Sequence, residues 1–191
     1  DHNSIGQFYQ TVTQFLGFKI NRHEGKITGL AAYGDKSKCF HKMLEAFSFF
    51  DGNPKNLLQN NANVLDDPLK FVHRVTKKDK IITKDYVRTL NNKRLMRFAI
   101  GYSLFLDFLR RNFSTSNRED VAAGIQELLE QVIISYVKKT LKRFPNRNIC
   151  LAGGVALNCV ANGKLLREGI FDQIWIQPAS GDAGSALGAA L

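Results

Sequence analysis

The sequence predicts an α/β fold, rich in helix and closing on a βαβα unit. Three observations carry this. Two short apolar runs, Ile149–Ala152 and Ile174–Ile176, have the length and composition of buried parallel strands. Each ends in a turn of small residues, Gly153-Gly154 and Ser180-Gly181-Asp182. Each turn then feeds an apolar segment of helical character. Strand, turn and helix, given twice over residues 148–191, is the sequence form of a βαβα unit. Such a unit sets both turns at the carboxyl edge of one sheet, where open α/β sheets bind ligands.

The elements before it read as helices. From Ser4 to Phe18 the apolar residues Ile5, Phe8, Tyr9, Val12, Phe15 and Leu16 recur at helical spacing. Ser4 is placed to cap this helix, and Gly17 to end it. Glu24–Tyr33 follows, with Gly29, Ala31 and Ala32 small enough for close approach to another backbone or a ligand. Gly34–Ser37 is a polar turn. Cys39–Phe50 reads as a short aromatic helix, and Asp51-Gly52-Asn53-Pro54 as a turn. Residues 51–90 are polar and only weakly periodic, with Leu69–Val75 and Lys80–Thr83 readable as short strands or loop. Lys93–Phe113 is a helix with Leu95, Phe98, Tyr102, Phe105 and Leu109 on one side and Asp107 on the other. Asn117–Phe144 is the longest, with the stripe Val121, Ile125, Leu128, Leu129 and Val132. Pro145-Asn146 ends it and leads into the first strand.

Composition narrows the function classes. A 44% hydrophobic content in 191 residues is globular, and no apolar run nears the roughly 18 residues of a membrane span. The chain starts at Asp1 and stops inside an apparent helix, which predicts a piece of a longer protein. Cys39, Cys150 and Cys159 lack metal-ligand spacing, so reduced, buried thiols and a cytoplasmic home are expected. The net charge of +10 fits nucleic acid, anionic substrates or a lobe separated from acidic partners. Its cluster at Lys77, Lys78, Lys80 and Lys84 has no aromatic interleaving, so it reads as a solvated loop rather than an RNA surface. Lys138, Lys139, Lys142 and Arg143 sit where a helix dipole favours cations. His2, His23, His41 and His73 have no partners at metal-ligand spacing.

The chemistry of the two turns is that of an anion site. Glycine lets backbone N–H groups approach a ligand, and a following helix start adds free donors. A plain tight connection is the alternative reading of Gly153-Gly154. Asp182 is open to two readings as well: a helix cap, or a carboxylate holding a divalent metal against phosphate oxygens.

Here the residues carry a resemblance. The runs LAGGVALNCVANGKLLREG (Leu151–Gly169) and FDQIWIQPASGDAGSALGAAL (Phe171–Leu191) resemble the O-carbamoyltransferases of the nodulation protein U family. SIGQFYQTVTQFLGF (Ser4–Phe18) and EGKITGLAAYG (Glu24–Gly34) match the same family's upstream pattern, in the right order. The middle, about Lys38 to Leu95, matches loosely.

The resemblance implies one lobe, the second, of an actin/hexokinase-like ATPase domain related to the tRNA threonylcarbamoyl transferases. It implies ATP-dependent carbamoyl transfer from a carbamoyl-adenylate to a small-molecule hydroxyl acceptor. The partners would be a first lobe and a carbamoyl-adenylate-forming domain of the same protein, with no membrane or nucleic acid. By this carry-over Gly153, Gly154, Val155, Asn158 and Gly181 bind nucleotide. Asp182 is catalytic and ligates a divalent metal, iron or magnesium, completed by residues outside this chain. Lys26, with Gly29, belongs to a lysine–glycine motif beside the cleft, with a solvated surface lysine as the alternative. By the same analogy residues 51–90 would be an insertion that shapes acceptor binding. The isolated chain is expected to be inactive. A basic RNA-binding module, a threonylcarbamoyl-type lobe and a sugar-kinase lobe remain as other readings.

Overall fold

The computed structural model describes residues 4–52 and 93–191. Helix α1 (Ile5–Phe15) buries Phe8, Tyr9 and Val12 on one side, as their spacing dictates. Ser4 takes the extended backbone of a cap, but its side chain makes no capping bond. At the other end Gly17 has φ +79°, its N–H bonds the Gln14 carbonyl (2.8 Å), and the Phe18 N–H bonds that of Thr13 (3.1 Å). This double closure needs a left-handed residue, hence glycine.

Helix α2 (Glu24–Ala31) buries Ile27 and leaves Lys26 and Gly29 exposed. A 3₁₀ turn, Lys36–Lys38, starts at Asp35, whose carboxylate accepts the Ser37 N–H (3.0 Å). Helix α3 (Phe40–Gly52) runs two residues past the expected end at Phe50, so Asp51-Gly52 completes the helix instead of opening a turn. Helices α4 (Lys93–Phe113) and α5 (Arg118–Arg143) keep, to within a residue, the bounds the apolar spacing predicts.

These five helices share one apolar core. Phe8 stacks on Phe105 at 3.7 Å between ring centroids and meets Phe47 edge-on at 5.4 Å. Val12, Ile27, Met43, Leu109, Ile125 and Leu128 are fully buried around them. Burial of each such side chain contributes about 1.5–3 kcal/mol. Two glycines let the helices close. A Cβ on Gly34 would lie 2.0 Å from the Glu119 carbonyl oxygen, and one on Gly124 2.8 Å from Cys39 Cβ. Within Glu24–Tyr33 the expected close packing is met at Ala31, which lies against the shared core; the tightest approach comes at Gly34, while Gly29 faces open space.

Charge fixes the start of α5. Asp120 accepts the Asp35 N–H (2.7 Å) and the Lys38 ammonium (2.9 Å), and these bonds hold its carboxyl below the usual range. Arg118 donates to the Leu16 carbonyl (2.6 Å) and lies over the Phe18 ring, which ties α1 to α5.

The last quarter of the chain is the predicted unit: β1 (Asn148–Leu151), a 3₁₀ turn (Gly154–Leu157), α6 (Cys159–Arg167), β2 (Gln173–Ile176) and α7 (Gly184–Ala190). The strands pair in parallel, Asn148 opposite Gln173 through Leu151 opposite Ile176. Their burial corrects the expectation of fully buried strands. Each alternates exposed and half-buried, with Cys150 and Trp175 on the open face. A crossover helix covers one face of a parallel pair, so the other is bare among the described residues. Cys150 and Cys159 are thus exposed free thiols, and of the three cysteines Cys39 alone is buried as expected.

Residues 53–90 of the predicted insertion lie outside the described residues, with the runs Leu69–Val75 and Lys80–Thr83, the lysine cluster from Lys77 to Lys84, and His73. His2 does too. No described helix is long and apolar enough to cross a membrane.

Candidate functional site

The parallel register brings the two turns together. Leu151 and Ile176 are paired at the ends of their strands, so both turns leave from one edge. The Gly153 N–H then donates to the Ser180 carbonyl (2.7 Å), which joins the first turn to the second. Gly153 sits at φ +98°, ψ 159°, a region essentially reserved for glycine. Gly154 has an ordinary φ and nothing within 4 Å of a Cβ. Of the pair, Gly153 is therefore the residue whose conformation demands glycine. The N–H groups of Gly154 and Val155 open the 3₁₀ turn, and a helical start has no internal acceptor for its first donors.

The second turn presents oxygen. Asp182 is exposed, and its carboxylate makes no hydrogen bond or ion pair with the described residues. It is not the helix cap: Ala183 occupies that position ahead of α7. Ser180 is 6% exposed, and its hydroxyl has no partner among the described residues. Gly181 is half-buried against Leu157 of the first turn. Gly184 is held close, since a Cβ there would meet the Ala179 carbonyl oxygen at 2.4 Å; Gly188 has open space.

The other sequence-derived residues differ in their surroundings. The Val155 side chain packs on the helical core, so only its backbone is free to serve a ligand. Lys26 is exposed on α2, with its ammonium 3.3 Å from His23 Nε2. Asn158 caps α6 by accepting the Ala161 N–H (3.0 Å), and it is tied into a polar network.

That network is the part sequence reasoning missed. Asn158 Nδ2 donates to Gln126 Oε1 (2.9 Å) and Thr28 Oγ1 (3.3 Å). Gln126 Nε2 donates to Asn158 Oδ1 (3.1 Å) and to Glu130 Oε1 (2.8 Å). The Tyr9 hydroxyl donates to Gln126 Oε1 (3.0 Å) and lies 2.9 Å from Thr28 Oγ1. Burial pushes the Tyr9 hydroxyl up to about 12, so it stays a donor at neutral pH. Beside it, Lys164 of α6 pairs with Glu130 (2.9 Å) and Glu127 (3.3 Å), and Lys36 with Glu127 (2.8 Å). Burial opposes ionisation of Glu127, but hydrogen bonds from Lys36 and Gln131 and the charges of Lys164 and Lys36 outweigh it and hold the carboxyl at about 2. One sequence signal was available: Gln126 and Glu130 are polar residues one turn apart, flanking the buried stripe of α5.

The arrangement can hold an anion at paired turns, with a hard carboxylate beside it. It does not enclose a metal by itself: no group of three or more His, Cys, Asp or Glu side chains converges among the described residues. Asp182 is one ligand of the right chemistry, and a divalent cation would need others from elsewhere.

Comparisons with known proteins show the family of the chain. The sequence model of a family described as "Carbamoyltransferase N-terminus" matches residues 1–191. An uncharacterized protein of Synechocystis sp. is 39% identical over 199 residues, covering 99% of this chain and 27% of that protein. Nodulation protein NolO of Bradyrhizobium diazoefficiens is 34% identical, covering 100% of this chain and 28% of its own. Nodulation protein U of Sinorhizobium fredii is 40% identical over 75 residues, 38% of this chain and 13% of its own. The chain spans about a quarter of the length of the relatives it matches end to end.

Proposed function

The chain belongs to the carbamoyltransferase N-terminus family, and on that premise we propose that it forms one lobe of an ATP-dependent carbamoyltransferase with an actin/hexokinase-like fold. The donor is a carbamoyl-adenylate and the acceptor a hydroxyl of a small molecule. A first lobe and an adenylate-forming domain of the same protein complete the enzyme in the cytoplasm. The observation that carries this reading is the Gly153 N–H to Ser180 C=O bond, which sets two glycine turns side by side at one sheet edge.

In this reading Gly153 shapes the turn and the N–H groups of Gly154 and Val155 face phosphate oxygens. Gly181 keeps the second turn slim enough for the ligand to approach. Attack by the acceptor oxygen on the carbamoyl carbon forms the new C–O bond, and the bond to the phosphate oxygen of AMP breaks. The acceptor proton passes to solvent. Negative charge that develops on the carbamoyl oxygen and the departing phosphate is stabilised by preorganised donors. Lys26 contributes a cation at the cleft. A divalent metal, held in part by Asp182, supplies further neutralisation of phosphate charge.

The test uses the full-length protein with labelled carbamoyl phosphate, ATP and polyhydroxylated acceptors. ATP-dependent transfer of label to a hydroxyl is expected, and its absence overturns the reading. Asp182→Asn should lower the rate on the order of a hundredfold or more. Its Tm should stay within a few degrees, since the carboxylate makes no hydrogen bond or ion pair among the described residues. Wild-type transfer with full metal occupancy in this variant would remove Asp182 from the chemistry.

A further inference from the structure

Two neighbouring residues of the second turn are unexplained by the free chain. Ser180 is 6% exposed, and its hydroxyl oxygen, shut off from solvent, has no hydrogen-bond partner among the described residues. A hydroxyl buried in this way has lost its water and gained no bond, so it costs more than an alanine methyl in the same place. Gly181 comes next in the chain. Its φ lies outside the left-handed region, and a Cβ there would meet only Leu157 Cδ1, at an ordinary 3.5 Å. Neither backbone conformation nor crowding calls for glycine at this position. Gly153, at φ +98°, and Gly184, pressed against the Ala179 carbonyl, differ from it in this respect.

We infer that Ser180 is a binding residue for the phosphate end of the ligand, and that the second turn has a bound arrangement in which its hydroxyl leaves the interior and donates to a phosphate oxygen. The position of Ser180 favours this. Its carbonyl accepts the Gly153 N–H (2.7 Å), so the residue stands where the two turns meet. Of Pro178–Ala183, Ser180 alone carries a side-chain donor. The Asp182 carboxylate, two residues on, suits a cation and not an anion. An O–H donor bonds an anionic oxygen more strongly than a neutral one, so a phosphate uses what burial wastes. No ligand reaches the hydroxyl while it is shut off, so the turn has to move. Gly181 supplies the pivot, because without a Cβ it passes through backbone conformations closed to other residues.

This role rests on the nucleotide reading proposed above. In the full-length protein, Tm without ligand and affinity for ATP and for pyrophosphate are measured for wild type and Ser180→Ala. Without ligand the variant should melt no lower than wild type, since the hydroxyl it loses made no bond. Its affinity for ATP should fall about tenfold or more, the scale of one hydrogen bond to a charged group. A hydroxyl that only supports the fold, bonded to buried water or to a part of the protein outside this chain, gives the reverse pattern. A lower Tm in Ser180→Ala overturns the inference whatever the affinity, and so does an unchanged affinity. Gly181→Ala reads the movement itself: it should slow ATP association, and a wild-type association rate overturns the bound arrangement. Wild-type protein that binds pyrophosphate but not ATP removes the proposed function, and the Ser180→Ala comparison is then decided on pyrophosphate. Wild-type protein that binds neither overturns both.

Discussion

The helical half and the C-terminal unit are held by different forces. Helices α1 to α5 close on stacked phenylalanines and fully buried aliphatics. The βαβα unit has two four-residue strands with one open face, and only a few buried residues, such as Ala161 and Leu165. What ties it to α5 is largely polar: the Gln126–Asn158 interlock, and Lys164 between Glu127 and Glu130. Apolar packing is strong but forgiving in direction, whereas a hydrogen-bonded seam is weak in net energy but strict in geometry. The stability of this chain lies in one region, and the orientation of its candidate site in the seam between regions.

The largest effect should come from the core. Ile125→Ala removes a fully buried side chain from the N-terminal half of α5, at a cost of about 2–5 kcal/mol in chemical denaturation. A loss below that of an exposed residue would break the comparison. The seam should fail next, and it should fail in acid. Glu127 has its carboxyl lowered from 4.5 to about 2. A depressed carboxyl gives stability that is present above the unfolded value and lost as pH falls through the folded one. Between pH 4.5 and about 2 the protein should therefore weaken, and Glu127→Gln should flatten that slope in a Tm-against-pH series. The smallest effect belongs to the rim. Arg147 and Asp172 pair at 2.8 Å with both side chains more than half exposed, so Arg147→Ala should cost well under about 1 kcal/mol.

The sequence disclosed these regions unequally, and for physical reasons. The bounds of α4 and α5 follow from local periodicity, which a chain cannot hide. The parallel pair and its turns were equally plain, because short apolar runs and glycine turns are local too. Strand burial was not, since it depends on what covers each face. The polar network was least visible: Tyr9 and Gln126 lie 117 residues apart, and nothing near either one names its partner. Asn158 was singled out by motif, yet its bonds to Thr28 and Gln126 are tertiary facts. The site residues Lys26 and Asp182 both lie exposed, Lys26 with its ammonium beside His23, and neither position could be weighed from spacing alone.

One feature of the open strand face has an optical consequence. Trp175 is the chain's single tryptophan and is 55% exposed on β2, two residues before the second turn begins to leave the sheet. Indole emission from this chain therefore originates at the candidate edge and nowhere else. A surface laid over that face would shift the emission to the blue and shield it from acrylamide. Melting of the phenylalanine core would be dark in the same channel, so one cuvette separates events at the edge from unfolding behind it.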